Sequence, residues 1–136
     1  MARGPDGERE AHLPATVTAR SPRRGEIWSV YAPGRTAEPH QPRPALVVSE
    51  DVRNRLSDDV IVVPIFSEGA SGPTHVALPP STGGLRRASV AFCEEITTIA
   101  RDFLARGPLG APVPPDVLAR VGRAVRRALG EVLPEE

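Results

Sequence analysis

The sequence predicts a mainly β domain with α content: a small barrel or sandwich of short strands followed by one C-terminal helix. Three observations carry this. Short β-branched and apolar runs recur between residues 24 and 99, separated by turns rich in Gly, Pro, Ser and Asp. One amphipathic stretch with helical periodicity, residues 116–132, closes the chain. A length of 136 residues fits one domain with a single core of modest depth.

Residues 1–22 hold Pro, Gly, Arg and Glu with scarcely any large apolar side chain, so they read as a disordered or loosely attached tail before a domain spanning 23–133. The first strand is Arg24–Tyr31, with Glu26, Trp28 and Val30 on one side and Ile27, Ser29 and Tyr31 on the other. Trp28 reads as core packing. Residues 32–42, with three prolines and one glycine, form a loop. Pro44–Ser49 and Val60–Phe66 read as inner strands, and the missing N–H of Pro64 predicts an edge, bend or bulge there. A short helical turn fits residues 50–58. A Gly-rich hairpin loop, 68–73, leads into the strand Thr74–Leu78. After the loop 79–88 come Ser89–Cys93 and Glu95–Ile99, then a brief helix over 100–105 and a Pro-rich connection, 108–115. In the last helix, Asp116 follows two prolines at the start, where the dipole favours an acid. Val117, Val121, Val125, Ala128, Leu129 and Val132 form the apolar stripe, Arg120, Arg123, Arg126 and Arg127 lie mostly on a solvated outer face, and Gly130 stops or weakens the last turn.

Basic and acidic residues both number 17, a neutral balance that argues against coating nucleic acid through charge alone but leaves room for a local cationic groove. All the basic residues are arginine. The single cysteine, Cys93, excludes an internal disulfide and a multi-cysteine metal site, and its apolar surroundings predict a buried, inert thiol. No apolar run is long enough to span a bilayer and no signal peptide is visible, so the expectation is a cytoplasmic protein without a membrane role. No GxSxG elbow, Gly-rich phosphate loop, HExxH or Cys/His ligand spacing is present, and His12, His40 and His75 are far apart. Any catalysis must therefore rest on Arg, Glu and hydroxyl groups, with no metal and no cofactor.

Several stretches, in order, resemble the MazF/PemK family of toxin endoribonucleases: Arg24-Gly-Glu-Ile-Trp28, Arg43-Pro-Ala-Leu-Val-Val-Ser49, Val62-Val-Pro-Ile65, Pro73-Thr-His-Val-Ala-Leu78, Gly84-Leu85, Ser89-Val90, Glu94–Ile99 and the closing Leu118…Gly130. Together they cover about residues 23–130. The resemblance implies an SH3-like, CcdB/PemK-type barrel with a C-terminal helix, working as a homodimer. It implies metal-independent, sequence-specific cleavage of single-stranded RNA, in which the ribose 2′-hydroxyl attacks the adjacent phosphate to leave 2′,3′-cyclic phosphate and 5′-hydroxyl ends. It also implies a cognate antitoxin protein as partner.

By that resemblance Arg43 stands at the catalytic arginine, a guanidinium suited to the charge that builds on the non-bridging oxygens. Glu38, in the preceding loop, orients Arg43 or contacts the RNA. The family's second catalytic position, a threonine after the Val-Pro-x segment, is Phe66 here. Either Ser67 takes over its role, or Thr74 or another hydroxyl does, or activity is weak; Ser67 is the preferred candidate. Glu95 stands where relatives carry glutamine, so it reads a base edge or merely ends a strand. RNA is expected across loops 32–42 and 67–74. Two rival readings share the fold: a CcdB-like gyrase inhibitor, and a catalytically weak RNA- or protein-binding module.

Overall fold

The computed structural model describes residues 20–31 and 41–134. Seven strands are present among them: β1 (Ile27–Val30), β2 (Arg43–Val47), β3 (Asp59–Phe66), β4 (His75–Leu78), β5 (Ser89–Phe92), β6 (Thr97–Ala100) and β7 (Leu104–Arg106). Two α-helices join them, α1 (Asp51–Leu56) and α2 (Pro115–Ala128). All pairings are antiparallel, in the order β4-β5-β3-β2-β1-β7, with β6 also on β3.

β3 is long enough to take two partners along one edge. Asp59–Val62 pair with β6, and Ile65 and Phe66 pair with β5. Ile61 directs its C=O to Val48 and its N–H to Ser49 on the β2 side, so strand alternation turns Pro64 toward the other edge. There its absent N–H falls in the gap between the two partners. Of the edge, bend or bulge that Pro64 predicts, the structure shows an unpaired edge position, while the register with β2 runs on unbroken.

β7, β1, β2, β3 and β6 form a continuous run. Its two ends follow each other in sequence through the 3-10 turn Arg101–Phe103, so the run curls into a small barrel around Trp28, Val30, Ala45, Val47, Val60, Val62, Ile99 and Leu104. The alternate residues Ile27, Leu46, Val63 and Ile65 point the other way, and α2 covers them with Val117, Val121 and Ala124. The central strands are thus buried on both faces, and each fully buried Ile, Leu or Val contributes about 1.5–3 kcal/mol of transfer free energy. Cys93 belongs to the core beneath α2, where burial pushes its thiol up to about 12.

Some expectations needed adjustment. The apolar stripe of α2 stops short: Leu129 is 78% and Val132 94% exposed. The helix ends at Ala128, and Gly130 adopts a φ of 95°, donating its N–H to the Arg127 carbonyl while Glu131 donates to that of Arg126. Cys93–Glu95 form a 3-10 turn, so β6 begins only at Thr97. Helix formation over 100–105 is limited to Arg101–Phe103, and β7 follows directly.

Residues 1–19 lie outside the described residues, but the packed body already includes residues 20–22. Glu26 is 2% exposed. Its carboxylate accepts from the Arg20 guanidinium at 2.7 Å, the Arg23 N–H at 2.9 Å and the Trp28 indole N–H at 3.0 Å. Fully buried Asn54 donates to the carbonyls of Pro22 and Ser49 and accepts from the Ser49 hydroxyl, tying α1 to the strand ends.

Candidate active site

Register brings the basic residues together. β1 lies between β2 and β7, so Ser29 stands opposite Pro44 on one side and Arg106 on the other, while Val30 stands opposite Arg43. The loop before β5 approaches from a third direction. Gly84, at a φ of 93°, fits where a Cβ would meet the Leu109 carbonyl oxygen at 2.3 Å, so the backbones of 83–85 and 109–110 touch. The Ser89 hydroxyl donates to the Arg87 carbonyl at 3.1 Å and fixes the end of that loop.

The result is an open cleft of about 480 Å³ whose polar lining includes Arg43, Ser67, Arg86, Arg87 and Arg106. All four arginines are exposed, and no carboxylate lines the cleft among the described residues. None of the four guanidiniums hydrogen-bonds or ion-pairs with another described residue. Positive charge held beside low-dielectric walls without internal neutralisation attracts a polyanion, and planar guanidiniums suit phosphate oxygens.

Arg43 and Ser67, the two residues expected to act together, line this one cleft. Phe66 does not line it; its ring meets that of Phe92 edge-on at 4.6 Å. Ser67 lies just past the end of β3, beyond strict strand alternation. Glu38 lies outside the described residues.

Thr74 and Glu95 belong to a neighbouring patch built around His75. The imidazole stacks on Phe92 with ring centroids 4.0 Å apart. Its Nδ1 meets the Ala70 carbonyl at 2.8 Å and its Nε2 meets Glu94 Oε2 at 3.0 Å. Both partners are acceptors, so the doubly protonated ring satisfies both contacts. The Glu94 hydrogen bond and the Ala70 carbonyl raise His75 above its ordinary pKa. Glu94 is held below the usual carboxylate range, chiefly by His75 and with a smaller contribution from the Thr74 side chain. Glu95 sits half-buried in the adjoining turn. Neither Thr74 nor Glu95 lines the Arg43 cleft.

Arg86, Arg87 and Arg106 were not singled out from the sequence. The local signal was the pair Arg86-Arg87 directly after Gly83-Gly84-Leu85, in a loop otherwise made of small residues. No group of three or more His, Cys, Asp or Glu side chains able to hold a metal ion exists among the described residues. No helix among the described residues is long and apolar enough to cross a membrane.

Comparison with known proteins bears on this arrangement. The family model described as PemK-like, MazF-like toxin of type II toxin–antitoxin system matches residues 23–129. Endoribonuclease MazF9 of Mycobacterium tuberculosis is 44% identical over 95 residues, which span 65% of this chain and 80% of that protein. Endoribonuclease EndoA of Bacillus subtilis is 34% identical over 85 residues, or 60% and 73% of the two chains. Among solved structures, an endoribonuclease in complex with its cognate antitoxin from a Mycobacterial species superposes with a TM-score of 0.68 at 30% identity, covering 84% of this chain and 100% of that one. MazF from Deinococcus radiodurans superposes at 0.67 with 27% identity, covering 82% and 99%. With a barrel, a closing helix and a matched segment from residue 23 to residue 129, the chain belongs to the PemK-like, MazF-like toxins of type II toxin–antitoxin systems.

Proposed function

We propose that this protein is a cytoplasmic endoribonuclease toxin that acts as a homodimer, cuts single-stranded RNA at short sequences without a metal, and is restrained by a cognate antitoxin. The observation that carries the reading is the meeting of Arg43 and Ser67 in one cleft with three further arginines and no described carboxylate. The endoribonuclease relatives and the antitoxin complex of a Mycobacterial relative support it.

In this mechanism the 2′-oxygen forms a bond to phosphorus as its proton leaves, and the bond from phosphorus to the 5′-oxygen breaks as that oxygen is protonated. The products are a 2′,3′-cyclic phosphate and a 5′-hydroxyl. Arg43 stabilises the extra charge on the non-bridging oxygens, and the Ser67 hydroxyl donates to the same phosphate. Glu38 is assigned to the same work, orienting Arg43 or contacting the RNA. Thr74 and Glu95 contact RNA outside the cleft, on the patch around His75. The arginines of the cleft rim hold flanking phosphates and favour in-line placement.

The test is incubation of the full chain with RNA in EDTA, with mapping of the 5′ ends. Discrete cuts bearing 5′-hydroxyls are expected, falling about 10²–10³-fold with Arg43→Ala and by a smaller factor with Ser67→Ala. Phe66 at the family's threonine position favours one second reading, a module that binds RNA without cutting it. Retained RNA binding with intact RNA would establish that reading in place of the nuclease.

A further inference from the structure

Residues 67–73, which follow β3, are all exposed, so no buried side chain of their own fixes them. They gather instead around one ring. Phe66 stands opposite Val90, which puts it on the same sheet face as Phe92 two residues on, and His75 stands directly opposite Phe92. Register alone thus collects three rings on the half-buried end of β5. Phe66 meets Phe92 edge-on at 4.6 Å between centroids, and His75 stacks on it at 4.0 Å. Aromatic pairs at these separations attract one another beyond the area they bury.

The loop is fastened to this cluster on both sides of Ser67. Before it, Phe66 is held in the β3–β5 pairing and against the Phe92 ring. After it, the backbone of Gly69 runs so close that a Cβ there would stand 2.8 Å from Cε1 and Cζ of Phe92. His75 then donates from Nδ1 to the Ala70 carbonyl at 2.8 Å and from its N–H to the Gly72 carbonyl at 3.2 Å. Its Nε2 meets Glu94 at 3.0 Å, which secures the far end of the imidazole. Ordering an exposed loop costs conformational entropy, and these contacts offset it.

We propose that Phe92 is a positioning residue for RNA cleavage: its ring, wedged among Phe66, Gly69 and His75, sets the Ser67 hydroxyl on the scissile phosphate beside Arg43. The proposal rests on the nuclease reading given above. Phe92 does not line the cleft, whereas Ser67 does, so the ring acts through the loop and not on the phosphate. A hydroxyl contributes to the transition state only when it is held in place, and a displacement of about 1 Å can cost about 10²-fold in rate. The arrangement also gives a phenylalanine at the family's threonine position something to do. Residue 66 supplies the anchor, and residue 67 supplies the hydroxyl.

The test is a double-mutant cycle on the full chain, read by steady-state cleavage in EDTA of an RNA carrying a site mapped for the unmodified protein. Phe92→Leu keeps an apolar side chain but loses the flat ring. It should lower kcat about three- to tenfold, by no more than Ser67→Ala does, and change KM less than about twofold. In a Ser67→Ala background the same change should alter kcat less than about twofold, because the hydroxyl it positions is gone. If Phe92→Leu does not fold, Gly69→Ala presses a methyl group against the ring and carries the same expectations in both backgrounds. An unchanged kcat, or equal losses with and without the Ser67 hydroxyl, overturns the proposal, since the ring would then serve the fold alone. A rise in KM with kcat unchanged overturns it too, because Phe92 would belong to an RNA-binding surface. Cleavage indifferent to Ser67→Ala also overturns it, while the nuclease reading survives. RNA left intact by the unmodified chain refutes the nuclease reading and this proposal with it.

Discussion

Replacing Glu26 by Gln and by Leu separates two accounts of the barrel's entrance. The carboxylate is 2% exposed, and one oxygen, Oε1, takes both the Arg23 N–H and the Trp28 indole N–H, while Oε2 takes the guanidinium of Arg20. Glu26→Gln keeps an oxygen for the first two donors and loses only the bond to Arg20, whose side chain is 49% exposed and can turn into water. The cost should be about 1 kcal/mol or less, since a half-exposed pair is well screened. Glu26→Leu strands both N–H groups. At about 1–3 kcal/mol for each unsatisfied buried donor, with the part-buried Arg23 amide at the lower end, the loss is about 2–5 kcal/mol. For a chain of this size that corresponds to a melting temperature lower by about 8–20 °C. Trp28 is the chain's single tryptophan, so its fluorescence reports both the local contact and global unfolding in urea, at one fixed protein concentration for all variants. Arg20→Gln should behave like Glu26→Gln. If Glu26→Gln proves as damaging as Glu26→Leu, the ion pair rather than the neutral acceptor holds this corner, and the reasoning fails.

Other expectations concern charge and backbone. His75 has its pKa raised in the folded state, so its contribution is full below about 6.5, the ordinary histidine value, and is lost as pH rises through the raised value. Glu94 has its pKa lowered, so its contribution holds above about 4.3, the ordinary Glu value, and disappears as pH falls through the lowered value. The protection of residues 68–74 against hydrogen exchange, taken relative to the intrinsic rate at each pH, should therefore be greatest between these limits, and His75→Gln should flatten the alkaline side. Arg86→Gln and Arg87→Gln should each reduce the slope of log affinity for a non-cleavable single-stranded RNA against log salt by about 0.7; an unchanged slope would remove that residue from the phosphate path. Gly130→Ala should destabilise by about 1 kcal/mol, read by thermal unfolding, because its φ of 95° is strained for any side chain.

The strands were legible because β-branched runs bounded by Gly and Pro are a local signal, and α2 because its apolar spacing is local too. Arg43 and Ser67 were candidates through the ordered family resemblance alone, and the fold brings both to one cleft. Arg86, Arg87 and Arg106 were not, since their meeting depends on β1 lying between β2 and β7 and on the contact of Gly84 with Leu109. Sequence periodicity does not encode such long-range register. Glu26 escaped for another reason: a lone acid at a strand entrance reads as solvated, and only the converging donors of Arg20, Arg23 and Trp28 make its burial tolerable. The stripe of α2 was drawn too long because the periodic residues Leu129 and Val132 continue past the point where Gly130 turns the chain.

The sole thiol, sealed under the last helix and protonated at any ordinary pH, makes the molecule its own stopwatch. An alkylating reagent can mark Cys93 only during the moments when α2 lifts from the sheet. Labelling speed therefore measures how often that lid opens, and a ligand that clamps α2 against β4 would be visible as a slowing of the reaction, with no dye or tag required.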